Sequence, residues 1–307
     1  FSLADSVNNH CPGVKFIICL VDNIRDISIS SGFEFIMAAD LGLPFLNEMC
    51  SKYSPLELNS ALKPYFGNYI FEKQKDVENL IFLDSDILLF DDLHPVYESL
   101  KSDSIILTPH SLSTVASGTD FDDRIFLRSG IYNAGFIALK RDSYSLAFLN
   151  WWMTKLRNEC FFNSKRGMFA EQLWLNLVPL YFEKVHILKH KGCNVAYWNF
   201  HERSISETDG IYYVNNADPL IFFHYSGASI HCLEENSVSR YQKRYTFTNL
   251  PALLPVFKLY TDSLKKHSFE KYNEFYTINS KIKISSAIVK AIAELYKKGI
   301  KKLFYTK

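Results

Sequence analysis

Apolar residues in this chain fall in short unbroken runs, and the runs alternate with segments of helical spacing. Positions 2–9 read as a helix, Cys11-Pro12-Gly13 as a turn, and 15–21 (KFIICLV) as a buried strand ending at Asp22. Positions 54–71 read as a second helix, with Ser54 as N-cap and Pro55 as its first residue. Glu57, Asn59 and Lys63 take polar positions on it, and Pro64 is expected to kink it or end its first half. The run 79–83 (NLIFL) lacks alternation, which predicts a strand buried on both faces, as in a parallel sheet. Further strands are expected at 104–108, 132–139, 185–188 and 220–224, and helices at 143–158 and at 170–177, the latter stopping before Pro179. Positions 111–123 are polar and read as a loop. After about Tyr245 the texture becomes helical, at 250–266 and 285–304. Strands alternating with helices predict an α/β fold with a largely parallel sheet.

Composition narrows the class. The chain has 307 residues, 48% apolar and 22% charged, too apolar for a disordered protein. The longest apolar stretches, 14–21 and 80–90, fall short of the roughly 20 residues that cross a bilayer. Positions 281 to 307 carry eight lysines against one glutamate, while the other 280 residues carry 26 basic and 32 acidic side chains. An acidic body argues against nucleic-acid binding, and a basic tail points to an anionic surface, a membrane first. In that tail Ile284, Ala287, Ile288, Ala291, Ile292, Leu295 and Leu303 form one helical stripe with lysines around it. Such a stripe predicts either a peripheral membrane helix over 283–305 or a helix packed on the domain with a solvated lysine face. The six cysteines form no C-x-x-C pair and read as reduced, buried thiols of a cytoplasmic protein. No signal peptide is visible, and the chain starts with Phe1.

Four patterns carry chemistry. Asp84-Ser85-Asp86 follows the run 79–83. Two carboxylates two residues apart at a strand end share a face, and a hard divalent ion such as Mg²⁺ or Mn²⁺ would relieve their repulsion. His224 ends the last apolar run, and Gly227 follows in a turn where backbone approaches a phosphate easily. Asn133-Ala134-Gly135 puts small residues inside a strand, so that something packs against its backbone, unless it is a bulge. Glu171-Gln172 opens a short helix. The plainer readings are a polar turn, a buried histidine and a carboxylate that complements a helix dipole.

Taken in order, these patterns resemble the metal-dependent glycosyltransferases of the GT-A fold, most closely the retaining family-8 group, over about residues 1–245. The resemblance implies a Rossmann-like nucleotide-diphospho-sugar transferase domain at 1–245, with a mixed, mostly parallel sheet, and a helical extension at 246–307. It implies that Asp84, Asp86 and His224 hold Mn²⁺ or Mg²⁺. Ser85, Lys63, Asn133, Ala134, Gly135 and Gly227 would contact the donor, a UDP-hexose, and Glu171 and Gln172 would serve catalysis. The acceptor it implies is a glycan or glycolipid of the cell surface, reached at the inner face of the membrane. The stretch Asn194 to Arg203 (NVAYWNFHER) resembles a bacterial subgroup, with His201, Glu202 and Arg203 as acceptor-facing candidates. Two departures stand out. The lysine that the family places after its His-x-x-Gly element is missing from Ala228-Ser229-Ile230-His231, so Lys189, Lys191 or Arg128 would have to serve. The family's opening strand and loop, which hold the nucleotide base, are also missing, since position 1 falls at what resembles the following helix; the expectation is that this segment has been cut from the sequence, the alternative being a protein defective in base binding. Two other readings stay open: a degenerate sugar-nucleotide-binding module, and a phosphatase of the haloacid-dehalogenase type using Asp84 as nucleophile.

Overall fold

The computed structural model describes residues 1–21, 33–116 and 121–269. The chain divides into two compact units, Phe1–Leu254 and Pro255–Lys307. The first opens with α1 (Ser2–His10), β1 (Ile17–Leu20), β2 (Glu34–Met37), α2 (Leu46–Lys52) and α3 (Pro55–Lys73). There follow β3 (Asn79–Leu83), β4 (Ile87–Leu89), α4 (His94–Ser102), β5 (Ile105–Pro109), α5 (Arg124–Ser129), β6 (Tyr132–Lys140) and α6 (Ser143–Leu156). The short β7 (Phe162–Asn163) and β8 (Met168–Phe169) lead to α7 (Val178–Tyr181) and β9 (Val185–Ile187). The unit closes with β10 (Ile205–Thr208), β11 (Ile211–Val214), β12 (Asp218–Pro219) and β13 (Phe222–His224). The described part of the second unit is mostly α8 (Leu254–Lys266), and the basic stripe at 283–305 lies outside the described residues.

The largest sheet has the order β3-β6-β5-β9. β5 and β9 are parallel, but β6 runs antiparallel to both β3 and β5. The sheet is therefore mixed, with antiparallel pairings in the majority, where a mostly parallel one was expected. β3 is covered on both faces as expected, Leu80 and Phe82 against one core and Ile81 and Leu83 against the other, and its place at the sheet edge leaves these residues only partly buried. Alternate residues of the central strands feed two cores, as the pleat requires. Ile105, Leu107, Ile137 and Leu139 pack with Leu62, Phe66, Phe148 and Trp152 of α3 and α6. Ile106, Phe136 and Ala138 pack with Val7, Val96, Ile87 and Phe222 on the other face.

α3 starts as expected: Ser54 accepts the Glu57 N–H and Glu57 returns a bond to the Ser54 N–H at 2.9 Å. Pro64 does not end it. The proline is buried among Leu62, Tyr65 and Phe66, and this packing carries the helix past the lost hydrogen bond. At 170–177 the expected helix is absent. Ala170 has a left-handed φ of 44°, a 3₁₀ turn spans Leu173–Leu177, and Pro179 sits in the first turn of α7 instead of stopping a helix.

Candidate active site

β3 runs into a tight turn and not, as the spacing suggested, into a strand end with both carboxylates on one pleat face. The Asp84 N–H donates to the Gly135 carbonyl at 2.8 Å, and the Ile87 N–H returns to the Asp84 carbonyl at 3.1 Å. Ser85 is exposed at the tip, and Asp84 and Asp86 flank it, partly open to solvent. β4 then pairs antiparallel with β13, matching Ile87 to His224, and the Tyr225 N–H donates to the Asp86 carbonyl at 2.8 Å. This ladder sets His224 beside Asp86, with Nε2 at 3.1 Å from Asp86 Oδ1. One ligand atom from each of Asp84, Asp86 and His224 lies within 4.8 Å of the others.

His224 is buried, 4% exposed, with Trp198 edge-on at 5.1 Å. Burial alone would lower its pKa, but the Asp86 carboxylate outweighs burial and raises it. Burial would likewise raise Asp86, and His224 holds it below the usual carboxylate range. Gly135 makes room for the ring. A Cβ there would collide with His224 Cε1 and lie 2.8 Å from Asn133 Oδ1. The small residues of 133–135 thus make room for a side chain packed on the backbone, and they also lie where the β5–β6 register shifts, between the pairs Leu107–Ile137 and Pro109–Tyr132, so both expectations for this stretch are met.

Lys63 joins the other half of the site. Its ammonium donates to Asp84 Oδ1 and Glu171 Oε1, each at 2.8 Å, and to the Ala134 carbonyl at 3.1 Å. An ammonium has three protons, so all three rest on protein oxygens. Burial opposes its charge, and Asp84 and Glu171 together raise its pKa well above the ordinary lysine value. Glu171 is 6% exposed and is tied by this ammonium to Asp84. Gln172 is engaged as well: Oε1 accepts from Asn133 Nδ2 and the Ala134 N–H, and Nε2 donates to the Ser129 carbonyl.

Other expected residues lie elsewhere. Gly227 has a left-handed φ of 73°, and the group pressed against it is the Tyr241 ring, 2.6 Å from where a Cβ would stand. Arg203 does not face an acceptor: it is 3% exposed and donates to the Lys191 and Cys193 carbonyls at 2.9 and 2.7 Å. Glu202 accepts the Leu112 N–H at 2.9 Å and His201 Nε2 lies 3.1 Å from Ser111 Oγ, so both brace loops. Asn194 and His110, to which the sequence assigned no role of their own, also lie at the site, 3.4 Å from His224 Nδ1 and 3.3 Å from Asn133 Nδ2. Asn194 has a left-handed φ of 58°, a backbone conformation that asparagine tolerates better than most residues.

Two partly open carboxylates and an imidazole suit a hard divalent cation. The fit is supported by the far nitrogen of His224, which faces amide oxygens of Asn133 and Asn194, as a ligating histidine requires.

No protein-family model matches the chain. It is 27% identical over 204 residues to the uncharacterized protein YfnF of Bacillus subtilis, a match covering 66% of this chain and 65% of that one. It is 24% identical over 231 residues to the uncharacterized protein YfnD of the same organism, covering 73% and 72%. Among solved structures, a glycosyltransferase involved in the glycosylation of the major capsid of PBCV-1 is similar over 69% of this chain and 94% of its own, at 14% identity and a TM-score of 0.38. At that score the functional reading rests on the site's side chains.

Proposed function

We propose that this chain is a metal-dependent glycosyltransferase that moves a hexose from a UDP-sugar to a glycan or glycolipid acceptor, with retention of configuration, in building cell-surface polysaccharide. The observation that carries the reading is the meeting of Asp84, Asp86 and His224 within 4.8 Å beside a second carboxylate, Glu171, linked through Lys63. Asp84, Asp86 and His224 would hold Mn²⁺ or Mg²⁺, which supplies Lewis-acid neutralisation of a departing diphosphate. Lys63 fixes the separation of Asp84 and Glu171 by bonding to both. Glu171 then offers negative charge where positive charge develops on a departing sugar, without reorganising at that moment. Gln172 and Asn133, bonded to each other, act as supports for this arrangement. The basic stripe at 283–305 would hold the protein at an anionic membrane, close to a lipid-linked acceptor.

Calorimetry of UDP binding with and without Mn²⁺, followed by a screen of UDP-sugars for slow hydrolysis, tests the proposal. Metal-dependent UDP binding with hydrolysis of one donor is expected. Asp86→Ala should abolish both while the chain stays folded, with an unfolding midpoint lowered by loss of the pair to buried His224. UDP binding that ignores Mn²⁺, or full activity in Asp86→Ala, overturns it. Phosphate release from an aryl phosphate would favour the phosphatase.

A further inference from the structure

His224 has two ring nitrogens, and the one that carries the proton is the one that cannot bind a cation. The hydrogen bonds behind the ring fix that choice from backbone groups whose roles are unambiguous. The Ser129 carbonyl only accepts, so Gln172 Nε2 donates to it at 2.8 Å and Gln172 Oε1 faces the opposite way. That oxygen takes the Ala134 N–H and Asn133 Nδ2, each at 3.1 Å. The Ile131 carbonyl only accepts, so His110 Nδ1 donates to it at 3.2 Å, and His110 Nε2 accepts the second Asn133 Nδ2 proton at 3.3 Å. Asn133 Oδ1 is thereby turned toward the Gly135 N–H and His224 Nδ1, both at 3.2 Å.

An amide oxygen only accepts, so His224 Nδ1 carries a proton. Its second neighbour is Asn194 Oδ1 at 3.4 Å. The other end of that amide, Asn194 Nδ2, is buried with no hydrogen-bond partner among the described residues, in a residue that is 0% exposed. Turning the amide over would set N–H against N–H at His224, so the unpaired Nδ2 is the lesser cost. We infer that Asn194 and Asn133, with Gln172 and His110 orienting Asn133, are positioning residues that keep a proton on His224 Nδ1 and leave Nε2, which faces Asp86 Oδ1 at 3.1 Å, as the nitrogen that a cation takes. The inference rests on the metal-site reading above.

The test uses the full chain labelled with ¹⁵N-histidine and the diamagnetic ion Zn²⁺, with a His224→Gln sample assigning the His224 signals. Zn²⁺ is expected to shift His224 Nε2 while Nδ1 keeps its proton. Calorimetry with Mn²⁺ then compares two variants that both suit the left-handed backbone at position 194. Asn194→Gly, which removes the oxygen, should weaken Mn²⁺ binding by about tenfold, and Asn194→Asp, which keeps it, should not. If Zn²⁺ shifts Nδ1 instead, the metal site stands and this assignment fails. Equal weakening in both variants, or none in Asn194→Gly, also overturns it. If neither nitrogen responds to Zn²⁺, the metal reading itself fails.

Discussion

Gly135 shows how one absent methyl group can shape a site. Its hydrogen lets the His224 ring lie on the β6 backbone, so Gly135→Ala forces either the ring or the strand to move. We expect a cost of about 2 kcal/mol in urea unfolding, within the range for overpacking, together with loss of Mn²⁺ binding. Wild-type Mn²⁺ affinity in that variant would show that the ring is not held there. His110 carries a pH prediction. Burial, despite the bond to the Ile131 carbonyl, takes its pKa down to about 4, whereas in the unfolded chain it titrates near ~6.5. The unfolded state therefore binds the proton first. The stability tied to neutral His110 is present above ~6.5 and falls as the pH drops toward about 4, by up to about 3 kcal/mol. His110→Gln should lose less stability than the wild type between about pH 7 and about pH 4.5, and equally steep losses would refute the assignment. At this scale the carboxylates, His224 and the small residues were legible because each stands at the end of, or inside, an apolar run. Asn194 was not, because its partner is distant in sequence and no local pattern joins them.

Among the elements, β13 matters most, because it delivers His224. Its entry is pinned by Gly192, whose carbonyl accepts the Ile221 and Phe222 N–H groups at 2.9 and 3.1 Å. A Cβ at Gly192 would run into the Pro219 carbonyl, a backbone atom that has no rotamer to escape by. Gly192→Ala should cost about 3 kcal/mol and disturb the site from a distance, read as a lower unfolding midpoint and weaker Mn²⁺ binding. The strands read from unbroken apolar runs, and the helices expected at 2–9, 54–71 and 143–158, were found close to their expected places. The β10–β11 hairpin was missed, although Asp209-Gly210, both with positive φ at 52° and 80°, is a strong turn signal between β-branched and aromatic residues. Sheet direction was not legible, since an apolar run reports burial and not the orientation of its neighbour; β6 between β3 and β5 is a fact of topology.

For the whole molecule, charge is the feature that sequence displays most directly. The chain should sediment with vesicles of anionic lipid at low salt and be released at high salt. Replacing Lys297, Lys298, Lys301 and Lys302 by Ser should weaken this by about 1 kcal/mol per lysine, and salt-insensitive or absent binding would leave the stripe as a packing face. The Lys63–Glu171 pair, by contrast, could not be read from spacing, because only the folded chain brings α3 to the segment after β8. The short ladder between β4 and β13 has a final consequence for how this protein can change. A strand slip of one residue sends every side chain to the opposite face. An insertion or deletion between Asp86 and Leu89 would therefore aim a phenylalanine where the imidazole belongs, even if all the named residues survived. The polar connection at 111–116 lies outside that ladder and can change length without moving its register. Length variation among descendants of this chain should thus be excluded from a three-residue window and common in the loops, whatever happens to the letters themselves.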